Sequence, residues 1–231
     1  MLHIKVPATS ANMGPGFDCA GIALQLYNEI WVETIPSGIE ISSKTNENIP
    51  KDESNLIYST IRDFYEAENI PMPGIRLIQD DHIPMTRGLG SSAACIVGGL
   101  IAANILSGKN YSKEELAQKA AKLEGHPDNS NPAIFGDMII SAMYSEGMKY
   151  VKLNVPKNIL FAVMIPEFTL STKKARAVLP DSYTRSQSIF NSSRTGLMVA
   201  SMMTGNLDNL RVAMDDAIHQ PYRKSLIRDY D

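Results

Sequence analysis

A chain of 231 residues, 44% hydrophobic and 20% charged, has the composition of an ordinary water-soluble protein, with enough apolar side chain for a substantial core and a length that suits two modest domains. Its 25 acidic and 22 basic residues leave a net charge of −3, and no run of Lys or Arg breaks that balance, so neither nucleic acid nor membrane is an expected partner. Cys19 and Cys95 stand far apart without CxxC spacing, which excludes a disulfide framework and a zinc cluster; the N-terminus lacks the apolar stretch of a signal peptide, and a cytoplasmic setting is expected.

In chain order, residues 2–6 alternate as a strand, and residues 7–18 form a turn-rich loop too long for a simple hairpin. Residues 22–35 and 38–43 have strand character. Leu56, Ile57, Thr60, Ile61 and Phe64 then recur at helical spacing behind Asn55, a natural N-cap, which predicts an amphipathic helix over 55–69. Residues 74–79 return to strand before the segment Pro84-Met85-Thr86-Arg87-Gly88-Leu89-Gly90-Ser91-Ser92-Ala93-Ala94. Gly88 and Gly90 let main-chain N–H groups approach an anion, and Ser91 or Ser92 is placed to cap the helix that follows. The lysine of a Walker A loop is absent, so any phosphate grip rests on backbone and hydroxyls.

The apolar run over 93–106 is too short to span a bilayer and predicts a buried helix ending near Gly108, with Cys95 inside it as a small core residue. Ser112 and Glu115 form a capping box for a helix whose inward face is Leu116, Ala120 and Leu123 and which stops at Gly125, delivering Glu124 to its end. Strands are expected over 138–144, 150–153 and 159–165, with a domain boundary between the last two, giving domains of 1–155 and 156–231. The remainder reads as helix over 172–178, 186–204 and 207–219.

Three polar groups could carry chemistry. Glu124-Gly125-His126-Pro127-Asp128-Asn129 packs two carboxylates, an imidazole and an amide around helix-breaking residues. A surface turn accounts for that density as well as a ligand site does, but Mg²⁺ in phosphoryl-transfer sites needs only one or two protein carboxylates. Asn12 and Asp18 flank a Gly-Pro-Gly turn. Arg176 and Arg223 are isolated from other charge, as surface arginines or as bidentate partners of a substrate carboxylate.

These segments together resemble the GHMP kinase superfamily, and within it the homoserine kinase family. Residues 84–94 resemble its P-x-x-x-G-L-G-S-S-A-A phosphate loop, and residues 7–18 the opening P-A-T-x-A-N-x-G-P-G-F-D. Residues 125–136 resemble G-H-P-D-N-x-x-P-A-x-x-G, residues 171–180 resemble S-T-x-x-A-R-x-x-L-P, and residues 219–223 the late H-Q-P-Y-R, all in family order. The resemblance implies an α+β fold in two domains, an N-terminal ATP-binding one like ribosomal protein S5 domain 2 and an incomplete ferredoxin-like one, with ATP and L-homoserine between them. By position, Pro84, Arg87, Gly88, Leu89, Gly90, Ser91, Ser92 and Ala93 would hold ATP, and Ser92 and Glu124 would hold Mg²⁺. Asn12, Asp18, His126, Asp128, Thr172, Arg176 and Arg223 would line the homoserine site, Asp18 and Asp128 taking the ammonium and the two arginines the carboxylate. Asn12, Asp128, Asn129 and Arg176 would serve the reaction itself, with no general base assigned.

Ser130-Asn131 stands where the family has a small apolar pair, and Asp137 where it has a second glycine. The family also continues for some tens of residues into a G-S-G-P-type motif, so this chain is expected to be C-terminally truncated, with an unpaired sheet edge that favours self-association, a homodimer being the simplest form. Alternative readings are another small-molecule kinase of the superfamily and a non-catalytic nucleotide-binding or assembly protein on the same fold.

Overall fold

Ile4, Val6 and Ala8 alternate onto one buried face, and they carry the first strand, β1 (Leu2–Ala11), well past the point where a loop is expected. Pro7 does not end it, because Pro7 sits where the register with the next strand shifts, and at such a bulge the missing N–H removes no ladder bond. The loop therefore begins only at Asn12. The computed structural model describes residues 1–227.

The long strand β2 (Ala20–Ile35) pairs antiparallel with β1. Next come β3 (Ile39–Ser43), α1 (Leu56–Ala67) and β4 (Gly74–Asp80), in which β3 and β4 run parallel and β4 pairs antiparallel with residues 29–35 of β2. The start of β2 pairs instead with β5 (Met138–Tyr144), which forms a hairpin with β6 (Gly147–Leu153). The result is one six-stranded sheet of order β3-β4-β2-β5-β6, with β1 on β2.

Helix α2 (Ser91–Leu106) lies over β1 and β2 beside α1. Two glycines permit this: a Cβ on Gly98 would stand 2.3 Å from Ile30 Cδ1, and one on Gly99 would stand 2.8 Å from Thr60 Cβ. Ile30, Ile57, Ile61, Val97 and Leu77 meet in the resulting core. Each such fully buried side chain contributes about 1.5–3 kcal/mol. Helix α3 (Lys113–Glu124) has the expected capping box and stops at Gly125, followed by the short α4 (Ser130–Phe135). Its inward stripe is Leu116, Ala117, Ala120 and Ala121, so the expected contribution of Leu123 is corrected: it is 52% exposed. Small alanines let α3 approach its neighbours on that side, which rotates Leu123 outward.

Asn55 caps α1 as expected and does more. Its Oδ1 accepts the N–H groups of Ile57 and Tyr58, while its Nδ2 donates to Pro50 O and to Gln79 Oε1 on β4. Asn55→Ala loses the cap and strands the buried Gln79 Oε1, so thermal or urea unfolding of this variant is expected to show a loss of about 2–4 kcal/mol.

Beyond β6 the regular elements among the described residues are helices, the α-helices being α5 (Thr172–Ala177), α6 (Arg185–Thr204), α7 (Leu210–Ala213) and α8 (Gln220–Arg223). Met198 and Met202 of α6 and Ala213 close a second core with Ala20, Ile22, Met138 and Leu153 of the sheet. Two expectations are corrected here. Residues 159–165 form no strand, since no described segment pairs with them, and Leu160 and Met164 are more than nine-tenths exposed. Residues 207–219 are not one helix, because the Asp216 carboxylate takes the N–H groups of Ile218, His219 and Gln220 into a side-chain-bonded turn. No helix among the described residues is long and apolar enough to cross a membrane.

Candidate active site

The glycine loop between β4 and α2 is held from below and open above. Thr86, Gly88 and Gly90 all have positive φ. Leu89 is buried, and its carbonyl accepts the N–H of Thr9 on β1 (3.1 Å). Gly88 has open space where a Cβ would stand, and Met85 is 54% exposed. A groove of about 620 Å³ runs between residues 84–87 and the segment carrying Ile165, Glu167 and Thr169, which is tied to the loop by Leu170 N–H donating to Thr86 O.

The start of α2 differs from expectation. Its N-cap is Gly90, in the left-handed region at φ 67°, with no side-chain cap; Ser91 and Ser92 lie inside the first turn. The first-turn N–H groups of this sixteen-residue helix therefore keep the positive end of the macrodipole facing the loop. Leu89 and Ala93 are buried, so at these two positions it is main chain that the loop can offer a ligand.

Gly90 is fixed by close approach as well as by angle. A Cβ there would lie 2.1 Å from Thr9 Oγ1 and 3.0 Å from Asn129 Oδ1, and Thr9 Oγ1 donates to Asn129 Oδ1 (2.9 Å). Asn129 thus joins the loop to β1. Gly21 does the same for the next residue back, because a Cβ on Gly21 would collide with the Asp128 carbonyl.

Asp128 is 2% exposed and accepts a hydrogen bond from His126 Nδ1 (2.6 Å). That bond, outweighing partial burial, raises the His126 pKa above its ordinary value. Asp18, His126 and Asp128 bring one ligand-type atom each within 4.8 Å of one another. Glu124 stands nearby: burial pushes its carboxyl up to about 7 against the pull of His126, and Oε2 is buried with no hydrogen-bond partner.

On the other side of this group, the Arg176 guanidinium makes two bonds to the Asp18 carboxylate. Two residues expected to bind opposite ends of one substrate therefore bind each other here. Asn12, with φ 70°, accepts the Asp18 N–H through Oδ1 and so closes the loop that presents Asp18. Arg223 donates through Nε to Ala175 O, one residue before Arg176, while Thr172 lies exposed at the start of α5. Both arginines stand over the ring of Phe17.

The unusual residues near this site are only partly satisfied, since Ser130 Oγ and Asn131 Oδ1 are buried without a hydrogen-bond partner. Asn131 is fully buried and donates to Ser141 Oγ and Met148 Sδ, partners supplied by the β5–β6 hairpin. Asp137 adopts the left-handed angle (φ 55°) and pairs with Lys152 at 2.9 Å. Neither cysteine is activated. Burial pushes Cys95 up to about 12, against the lowering that a helix N-terminus suggests, and burial with Asp128 and Asp18 raises Cys19. Thr9, Phe17 and His219 are the site residues that sequence reasoning passed over, although each lies inside a motif quoted for the resemblance.

Residues 55–137 match the family described as GHMP kinases N terminal domain. Over its whole length the chain is 47% identical to the homoserine kinase of Caldicellulosiruptor saccharolyticus, spanning 75% of that protein. It is likewise 47% identical to the homoserine kinase of Clostridium novyi, spanning 78% of it. The crystal structure of homoserine kinase from Cytophaga hutchinsonii is similar with a TM-score of 0.82 at 29% identity, covering 98% of this chain and 75% of that one. Streptococcus pneumoniae phosphomevalonate kinase in complex with phosphomevalonate and AMPPNP shares the fold at a TM-score of 0.68 and 12% identity, over 99% of this chain and 82% of that one.

Proposed function

The chain belongs to the homoserine kinase family of the GHMP kinases, and from that membership we propose that it transfers the γ-phosphoryl group of ATP to the side-chain hydroxyl of L-homoserine, giving O-phospho-L-homoserine. The observation that carries the substrate assignment is the meeting of Asp18, His126 and Asp128 with Arg176 and Arg223 beside the glycine loop. A carboxylate group next to paired guanidiniums fits the ammonium and carboxylate of a free amino acid.

In this reading residues 1–155 carry the nucleotide cradle and residues 156–231 supply both arginines. Main-chain N–H groups of residues 88–93 face the phosphates, with Pro84 and Arg87 at the mouth of the groove. The substrate zwitterion replaces the Asp18–Arg176 bond by two exchanges: its ammonium takes Asp18 and Asp128, and its carboxylate takes Arg176 and Arg223. Thr172 and Asn12 close the pocket, and Asn129 keeps the loop at its distance from β1. Phosphoryl transfer through a loose transition state asks for in-line positioning and charge neutralisation, so the absence of an obvious strong base is no obstacle.

The orphaned, buried Glu124 Oε2 is the kind of hard oxygen donor that Mg²⁺ takes, and Ser92 offers a hydroxyl in the first turn of α2. When bound, the ion would neutralise charge on the phosphate oxygens. Glu124 also sets a pH dependence. With its carboxyl raised from 4.5 to about 7, the ligand-free chain loses stability as pH climbs from the ordinary carboxyl range through 7 and the buried group is forced to ionise. Glu124→Gln is therefore expected to be more stable than the parent at pH 8 by about 1–3 kcal/mol. The same variant should lose the stabilisation that MgATP gives the parent. Thermal melts at pH 6 and 8, with and without MgATP, check both signs.

Calorimetric titration of L-homoserine into the chain with a non-hydrolysable MgATP analogue tests the substrate assignment. One-to-one binding is expected, and binding of γ-hydroxybutyrate, which lacks the ammonium, should be weaker by about 100-fold. Equal affinities contradict the zwitterion clamp.

A further inference from the structure

We infer that Phe17 is a positioning residue for acceptor binding, its ring being the platform that sets the spacing of the Arg176 and Arg223 guanidiniums. The inference rests on the reading above, in which those arginines take the acceptor's carboxylate. The Cζ atoms of Arg176 and Arg223 stand 5.3 and 5.1 Å from the Phe17 ring centroid. Like charges repel, and Arg223 is half-buried, so bringing the two together needs a compensating negative surface; the face of an aromatic ring supplies one.

The Asp18 and Asp128 carboxylates also attract both cations, Asp18 by direct bonds to Arg176, but in the reading above they are the groups a substrate ammonium claims. The Phe17 ring lies under both guanidiniums and is not a group the ammonium would take.

The platform itself is braced. His219, 6% exposed, stacks on Phe17 with centroids 5.3 Å apart and planes 26° from parallel, and its Nε2–H donates to Gly14 O (2.7 Å). Asp216 fixes the turn that carries His219. From α6, Asn191 and Thr195 both donate to Pro15 O, which locks the loop two residues before the ring. A side chain that merely filled space would need neither this orientation nor two guanidiniums over it.

The test uses the 231-residue chain and compares two ligands, L-homoserine and 3-amino-1-propanol, which is homoserine without its carboxylate. Phe17→Leu is expected to weaken L-homoserine binding by about tenfold, while 3-amino-1-propanol and MgATP stay within about twofold of the parent and Phe17→Tyr keeps full affinity. Homoserine affinity within about twofold of the parent, or a common loss for all three ligands, overturns the inference. Should Phe17→Leu fail to fold, fluorinated phenylalanines at position 17 keep the shape and drain the ring face. Homoserine affinity should then fall with each added fluorine, and a flat series overturns the platform. Arg176→Ala separates the two levels. If it leaves homoserine binding intact, the clamp itself is wrong; if it weakens binding while the Phe17 variants do not, only the platform is wrong.

Discussion

Arg176→Ala is expected to weaken L-homoserine binding by about 100-fold and to leave MgATP affinity within about twofold. The guanidinium is tied by two bonds to Asp18 across 158 residues of sequence, so α5 is placed by the same contact that forms the pocket. Removing it takes away the carboxylate partner and lets Asp18 swing into solvent, which damages both ends of the proposed clamp. Arg176→Lys keeps the charge but offers no planar fork, and a loss of about tenfold is expected. Calorimetry with each ligand separately reads the split; equal losses for nucleotide and amino acid contradict the role assigned to Arg176.

Gly90→Ala should be the most damaging single methyl in the loop. The position needs φ 67°, and the new Cβ would stand 2.1 Å from Thr9 Oγ1, in the contact that links loop, β1 and Asn129. Left-handed backbone alone costs a residue with Cβ about 1–2 kcal/mol. Displacement of Thr9 adds to this, and a total loss of about 2–4 kcal/mol is expected, with MgATP affinity down by about 30-fold or more as the first turn of α2 moves. Gly88→Ala is the internal control: its φ is also positive, but nothing lies within 4 Å of the new Cβ. Its melting temperature should fall by much less. Matching losses at the two positions contradict the close-approach argument.

Local chemistry was readable ahead of the fold wherever one segment contained both partners. Asn55 and its helix, the Ser112–Glu115 capping box and the stop at Gly125 are of that kind, since cap and capped N–H groups lie within a few residues. Features that depend on a distant segment were not. Pro7 looks like the end of a strand until the register shift against β2 is known. Residues 159–165 have strand composition, but a strand is defined by its neighbour. The Asp216 turn looked helical because the spacing of apolar residues is silent about a carboxylate that captures three N–H groups.

The candidate site divides in the same way. Gly88, Gly90, Glu124, Asp128 and Arg176 carry chemistry in their residue types. Thr9 and Phe17 are ordinary residues made important by what folds against them, Gly90 and Asn129 for one and two arginines for the other. Asn131 shows the converse: an amide in an apolar family position finds Ser141, ten residues on, to accept from its Nδ2, while its Oδ1 stays buried without a partner.

Initial-rate ADP release with MgATP, measured in parallel with L-homoserine, mevalonate, galactose and shikimate at matched concentration, tests phosphoryl transfer to an amino-acid acceptor most directly. The expected result is turnover with L-homoserine faster than with any other acceptor by at least about 100-fold. No release above the acceptor-free rate with L-homoserine, or equal turnover with one of the other three, contradicts it.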